Sequence, residues 1–161
     1  MAKLSIGDGS ARAVVGTATN DNAATGNVGQ VITATVASGS AISLSNATGA
    51  NITNISLTAG DWDVSGQVDF VMTGATSTLQ QMGISLTTNT LPSQPGGSGL
   101  GTDPLRSSLL QTTTITGTMD LSAGPVRVSL SATTTVYLVA QVAFSAGTVT
   151  GYGTIRARRM R

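Results

Sequence analysis

Residues 61–72 read DWDVSGQVDFVM. Trp62, Val64, Val68, Phe70 and Met72 share one parity, with Gly66 among them. Asp61, Asp63, Ser65, Gln67 and Asp69 take the other. Successive side chains of a strand point to opposite faces. The stretch therefore predicts an antiparallel strand with one face on a core and the other toward water. Trp62 and Phe70 are the expected core anchors. TAG at 58–60 reads as the turn that leads in.

Working outward, period 2 recurs. Upstream, Ile32, Ala34 and Val36 alternate with Val31, Thr33 and Thr35, and GSAISLS and NITNISL add short alternating runs. Downstream, STLQQMGISLT offers Leu79, Met82, Ile84 and Leu86, and the change of parity predicts a bulge near Gln81–Met82. TTTITGTM, at 112–119, is Thr-rich and suits a strand. SAGP, at 122–125, reads as a turn with Pro125 opening the strand VRVSL. In TTTVYLVAQVAFS both parities are largely apolar, which predicts a central strand covered on both sides. Phe144 is a third core anchor. AGT reads as a turn into TVTGYGTIRAR, where Val149 and Ile155 share one face and Tyr152, Thr154 and Arg156 the other.

About nine strands with short turns and no helix-period segment predict an all-β antiparallel sandwich. Residues 1–28 are rich in Gly, Ala, Asn and Asp. They read as an extended N-terminal arm, with a short strand near Val14–Val15, ahead of a domain over 29–161. Residues 88–108 hold three of the four prolines and read as one long loop, of the kind that is functional or flexible. Its Leu91, Pro92, Gln94, Asp103 and Arg106 are candidate ligand contacts.

Composition narrows the chemistry. Among 161 residues there is no Cys, His or Glu, and all seven acids are Asp. Thiolate sites and disulfides are excluded, and so are the commonest general base and metal ligand. A formal net charge of +1 gives no pull toward polyanions. Charged residues are 9% of the chain, against about 25% in ordinary soluble domains. So sparse a surface predicts cover by copies of the chain or by a host assembly. No run has signal-peptide or membrane-span length, so the expected place of synthesis is a cytoplasm, with no membrane partner. Sequons at Asn46, Asn51 and Asn54 are expected by chance in a chain so rich in Ser and Thr.

Candidate sites are few. Asp61 and Asp63 share a strand face about 7 Å apart, which meets the spacing of a glycosidase pair or the start of a cation site. Calcium wants six to eight oxygens, and a solvated strand face explains the two acids better. No activated nucleophile is in view, since the only Lys is Lys3. The expectation is a non-enzyme with no cofactor and no metal. GGSGLG, at 96–101, fits neither phosphate-loop pattern. The basic end TIRARRMR, at 154–161, is in phase with the last strand and lacks stacking aromatics. It reads as a strand end or subunit contact and not as a nucleic-acid tail.

ISLTAGDWDVSGQVDF, at 55–70, and VRVSLSATTTVYLVAQVAFSAGTVTGYGTIRARRMR, at 126–161, together resemble a group of small bacteriophage virion proteins. Three motifs carry the likeness: Leu-Thr-x-Gly-Asp-Trp-Asp-Val, Thr-Thr-x-Tyr-Leu-Val-Ala-Gln, and a terminal Ile-x-Ala-Arg-Arg-x-Arg. It runs from about Gly29 to Arg161, leaving the arm outside. The resemblance implies a jelly roll similar to C1q and tumour-necrosis-factor domains, assembled as a homotrimer on the virion. Capsid decoration or head fibre is the expected role, with a tail-fibre tip recognising a host surface glycan as the alternative. It makes Trp62 an anchor between sheets, and Asp61 and Asp63 acceptors for arginines. Arg156, Arg158 and Arg159 become ordered residues that bind a neighbouring subunit. Tyr137 and Tyr152 become the aromatic candidates to line the threefold axis, with Arg156 and Arg158 paired at the boundary. Residues 1–28 would dock onto the major capsid protein or another virion protein.

Overall fold

The computed structural model describes residues 19–92 and 106–161. They form seven strands and one short 3-10 turn: β1 (Val31–Val36), the turn (Ser38–Ser40), β2 (Ile42–Leu44), β3 (Ala50–Leu57), β4 (Gly60–Ser85), β5 (Arg106–Leu130), β6 (Thr134–Ser145) and β7 (Thr148–Arg159). No helix among the described residues is long and apolar enough to cross a membrane. The Val14–Val15 strand and most of the N-terminal arm lie outside the described residues.

One 26-residue strand, β4, organises the sheet. On one side it pairs with β5 from Gly60 to Gly83. On the other, its first half pairs with β7 and its second half with β6. Thus β6 and β7 follow one another along β4 rather than pairing as a hairpin. Between them, Ala146 and Gly147 both have positive φ, and Gly74 of β4 lies alongside with a φ of 60°. At this corner the ribbon bends and the second half of the sheet folds over the first. β1 and β2 extend the first half through β7, and β3 extends the second through β6. The outermost strands β1 and β3 approach one another, so the sheet nearly closes.

The result is an all-β antiparallel sandwich of jelly-roll character. Its core is filled by the inward residues of both halves. Trp62, Val64, Val68, Phe70 and Met72 of the first half are buried, as are Met82, Ile84, Leu138 and Val142 of the second. Gly66 reports the contact directly: a Cβ there would lie 2.7 Å from Leu138 Cδ1 and 3.7 Å from Met82 Cε. Gly151 of β7 does the same from its own strand, 2.9 Å from Ile52 Cδ1 of β3. Glycine at these points lets the layers approach.

Several sequence expectations change. STLQQMGISLT, at 77–87, continues DWDVSGQVDFVM as the same strand as far as Ser85, and its bulge lies between Ser77 and Leu79, not at Gln81–Met82. SAGP is no turn. β5 runs through it with a bulge, two residues lying opposite Ser65, and Pro125 fits there because β5 is an edge strand that needs no second donor. Arg106 to Ser108 are not loop but the start of β5, paired with Gly83 to Gln81. Phe144 is only partly buried, packed on the margin of the core beside the corner. β6 is central, as its two apolar faces predict. Its outward Val139 is fully buried because segments 45–50 and 87–92 fold over it. They are held by Gln141 Nε2 donating to Ala47 O at 2.7 Å and by the reciprocal backbone and side-chain bonds of Asn51 and Asn89.

Candidate functional site

The end of β7 is built into the fold. Arg159 takes the inward parity opposite Trp62, and its guanidinium lies over the indole, 4.4 Å from the ring centre. It also donates to Ala59 O at 3.2 Å and to the Thr58 hydroxyl. Trp62 is itself tethered, its Nε1 donating to Thr58 O at 2.9 Å. Gly60, with a φ of 132°, leaves the space that Arg159 fills. On the N-terminal side the backbone of Arg159 exchanges bonds with Gly29 and Gln30, which closes the start of β1 onto the end of β7.

Asp61 takes the outward parity, yet its side chain is only 7% exposed because two arginines cover it. Arg127 of β5 donates two bonds from Nη2, at 3.0 and 3.1 Å. Arg161 donates from Nε. Donation from the Ser129 hydroxyl is the chief cause of a carboxyl held down at about 2. Burial opposes it, and Arg127 and Arg161 add to it. Arginines thus hold both oxygens of this carboxylate. Among the described residues no group of three or more His, Cys, Asp or Glu gathers to hold a metal.

Arg156 and Arg158 are the arginines expected at a subunit boundary. Strand alternation puts Arg156 and Arg158 on the outward face, exposed, with no hydrogen bond or ion pair among the described residues. Arg159 and Arg161 make the contacts instead. The sequence offered one usable signal for this. Arg159 shares the parity of Val149 and Ile155, the face opposite to Tyr152, Thr154 and Arg156.

Register lays out the outward face of the first half. Asp63 lies between Arg127 and Arg158, Ser65 beside Arg156, Gln67 between Ser122 and Thr154, and Asp69 between Asp120 and Tyr152. Asp63, Ser65, Pro125, Arg156 and Arg158 line a shallow cleft of about 180 Å³. A second cleft continues along Gln67, Ser122 and Thr154. Asp120 was the member that sequence reasoning passed over, because only the β4–β5 register brings it opposite Asp69.

Tyr137 is elsewhere. It lies in register between Asn54 and Ser85, outward on the second half, whereas Tyr152 is outward on the first. The two halves pack inner face to inner face, so these tyrosines point away from each other.

Of the loop candidates, Gln94 and Asp103 lie outside the described residues. Leu91 and Pro92 are partly buried, and Pro92 O accepts from Arg106 Nη1 at 3.5 Å. Pro92 also borders a cleft of about 400 Å³, with Ile84 to Thr87 on one wall and Arg127 to Ser129 on the other.

No protein-family model and no curated protein matches this chain.

Proposed function

We propose that this chain is a structural protein of a bacteriophage virion, a trimeric sandwich displayed on the virion surface as capsid decoration or head fibre. The resemblance of its β4, β6 and β7 motifs to small virion proteins supports the reading. One observation carries it. In a chain with 9% charged residues, Arg156, Arg158, Asp63, Asp69 and Asp120 gather unpaired, among the described residues, on one outward sheet face. Three of the four residues expected at a subunit boundary, Tyr152, Arg156 and Arg158, fall on that face. Imaging virions with and without the gene tests it: deletion removes surface density and leaves infectivity nearly intact. Loss of infectivity with an unchanged capsid refutes decoration.

The cleft beside Pro92 favours a second reading, a tail-fibre tip that recognises a host surface glycan. A glycan-array screen with the full chain checks it, and the absence of binding at millimolar ligand counts against it.

A further inference from the structure

The outward face of the first half has two ends of opposite sign. At one end Arg127, Arg156, Arg158 and Arg161 stand against Asp61 and Asp63, four positive charges to two negative. At the other, Asp69 and Asp120 lie directly opposite on neighbouring strands with no cation in their rows. Four residues along a strand separate Arg156 from the row of Asp69 and six separate Arg158, about 13 and 20 Å. Both exceed the screening length of about 8 Å at physiological salt, so the ends act as separate patches.

Like charges placed directly across two strands repel, and neither aspartate has a hydrogen bond or ion pair among the described residues. Arg156 and Arg158 carry the matching surplus, equally free. Two positive charges at one end equal two negative at the other. The face runs over four strands and about 12 residues, roughly 19 by 40 Å; an end-on-end contact takes about half of it, so the two contacts each copy makes in a ring together cover close to the roughly 800 Å² of a stable interface. Tyr152 in the row of Asp69, Val71 one row beyond it and Val31 beside Arg158 give it apolar area at its two ends, with Gln67, Thr154 and Thr35 in the row between.

We infer that this face binds a second copy of the chain head to tail, with Arg156 and Arg158 of one copy on Asp69 and Asp120 of the next. The inference rests on the assembly reading above and adds its register. A contact between two different patches is heterologous, and it closes into a ring when the rotation allows. Bidentate arginine–carboxylate pairing fixes the orientation.

Two variants of the full chain test it, at half-exposed or exposed positions where the fold tolerates them: Arg156→Glu with Arg158→Glu, and Asp69→Arg with Asp120→Arg. Melting curves confirm folding, and sedimentation velocity at 1–100 µM, about three decades above typical nanomolar pairs, reads association. The expected result is that the native chain associates and each variant alone loses at least about tenfold in affinity. An equal mixture of the two regains association, and salt from about 0.05 to 0.5 M weakens the native assembly. Native association that both variants retain overturns this register and leaves the assembly reading standing. A native chain that stays monomeric overturns both. Calcium, added as the chloride, binding the native chain but not Asp69→Asn with Asp120→Asn, while association is unchanged, makes the acidic end a cation site and also overturns the inference.

Discussion

Replacing Gly66 with alanine is a direct probe of how the sheet folds back on itself. Its φ is not in the left-handed region, so alanine is not strained there by its backbone. The new methyl would lie 2.7 Å from Leu138 Cδ1, against a comfortable carbon–carbon separation of about 3.5–4.0 Å. Leu138 is fully buried, so its end must move about 1 Å within a packed core. Overpacking of this kind costs about 1–3 kcal/mol, and the lower half applies because a side-chain tip, not backbone, gives way. Loss of glycine's freedom in the unfolded chain returns about 0.4–1 kcal/mol. The net is destabilisation by about 0–1.6 kcal/mol, a fall in Tm of up to roughly 6 °C for a chain of this size. Leu138→Val removes the atom that clashes. Gly66→Ala should therefore be neutral or stabilising in the Leu138→Val background, with a coupling of about 1 kcal/mol. Urea melts of the four proteins give that number. Coupling below about 0.3 kcal/mol would show that Gly66 and Leu138 do not face each other, and the folded-over sheet would be wrong.

Gly60→Ala should lower Tm more steeply. A φ of 132° strains any side chain, and the methyl would meet Arg159 Nη1 at 2.5 Å; a loss of about 1–3 kcal/mol is expected in denaturant melts. Trp62→Ala, which empties a fully buried site and removes the stacked partner of Arg159, should cost about 3–5 kcal/mol, read as a drop in the urea midpoint at unchanged slope. Asp61 gives the pH dependence. Its folded value of about 2 lies below its usual 3.8, so its stabilising share is complete above pH 4 and is lost as pH falls through 2. In acid titrations the stability gap between the native chain and Asp61→Asn should be constant from about pH 5 to 8 and close by about pH 2. A gap independent of pH down to 2 would contradict the Ser129, Arg127 and Arg161 contacts.

The β class and the inward parity of Trp62 and Phe70 could be read from alternation alone, because an aqueous surface and an apolar core impose a strict period of two. Continuity could not. The residues at TGAT, TGTM and SAGP are those of hairpin turns, as at SAGT, where β6 does end; but Gly74, Gly117 and Pro125 mark bends and bulges in strands that carry on. Local composition is the same in both cases, and only pairing partners decide. The same limit hid Asp120, whose meaning comes from the register with Asp69. Alternation separates the terminal arginines: Arg156 and Arg158 face outward, the positions expected at a subunit boundary, whereas Arg159, in phase with the core, lies over Trp62.

Assembly of copies is the claim on which the functional proposal depends. Mass photometry or light scattering on the purified chain at micromolar concentration and low salt tests it most directly. The expected result is a particle of three times the 16.0 kDa protomer mass, dissociating as salt rises. A particle of 16.0 kDa at every concentration and salt would contradict it.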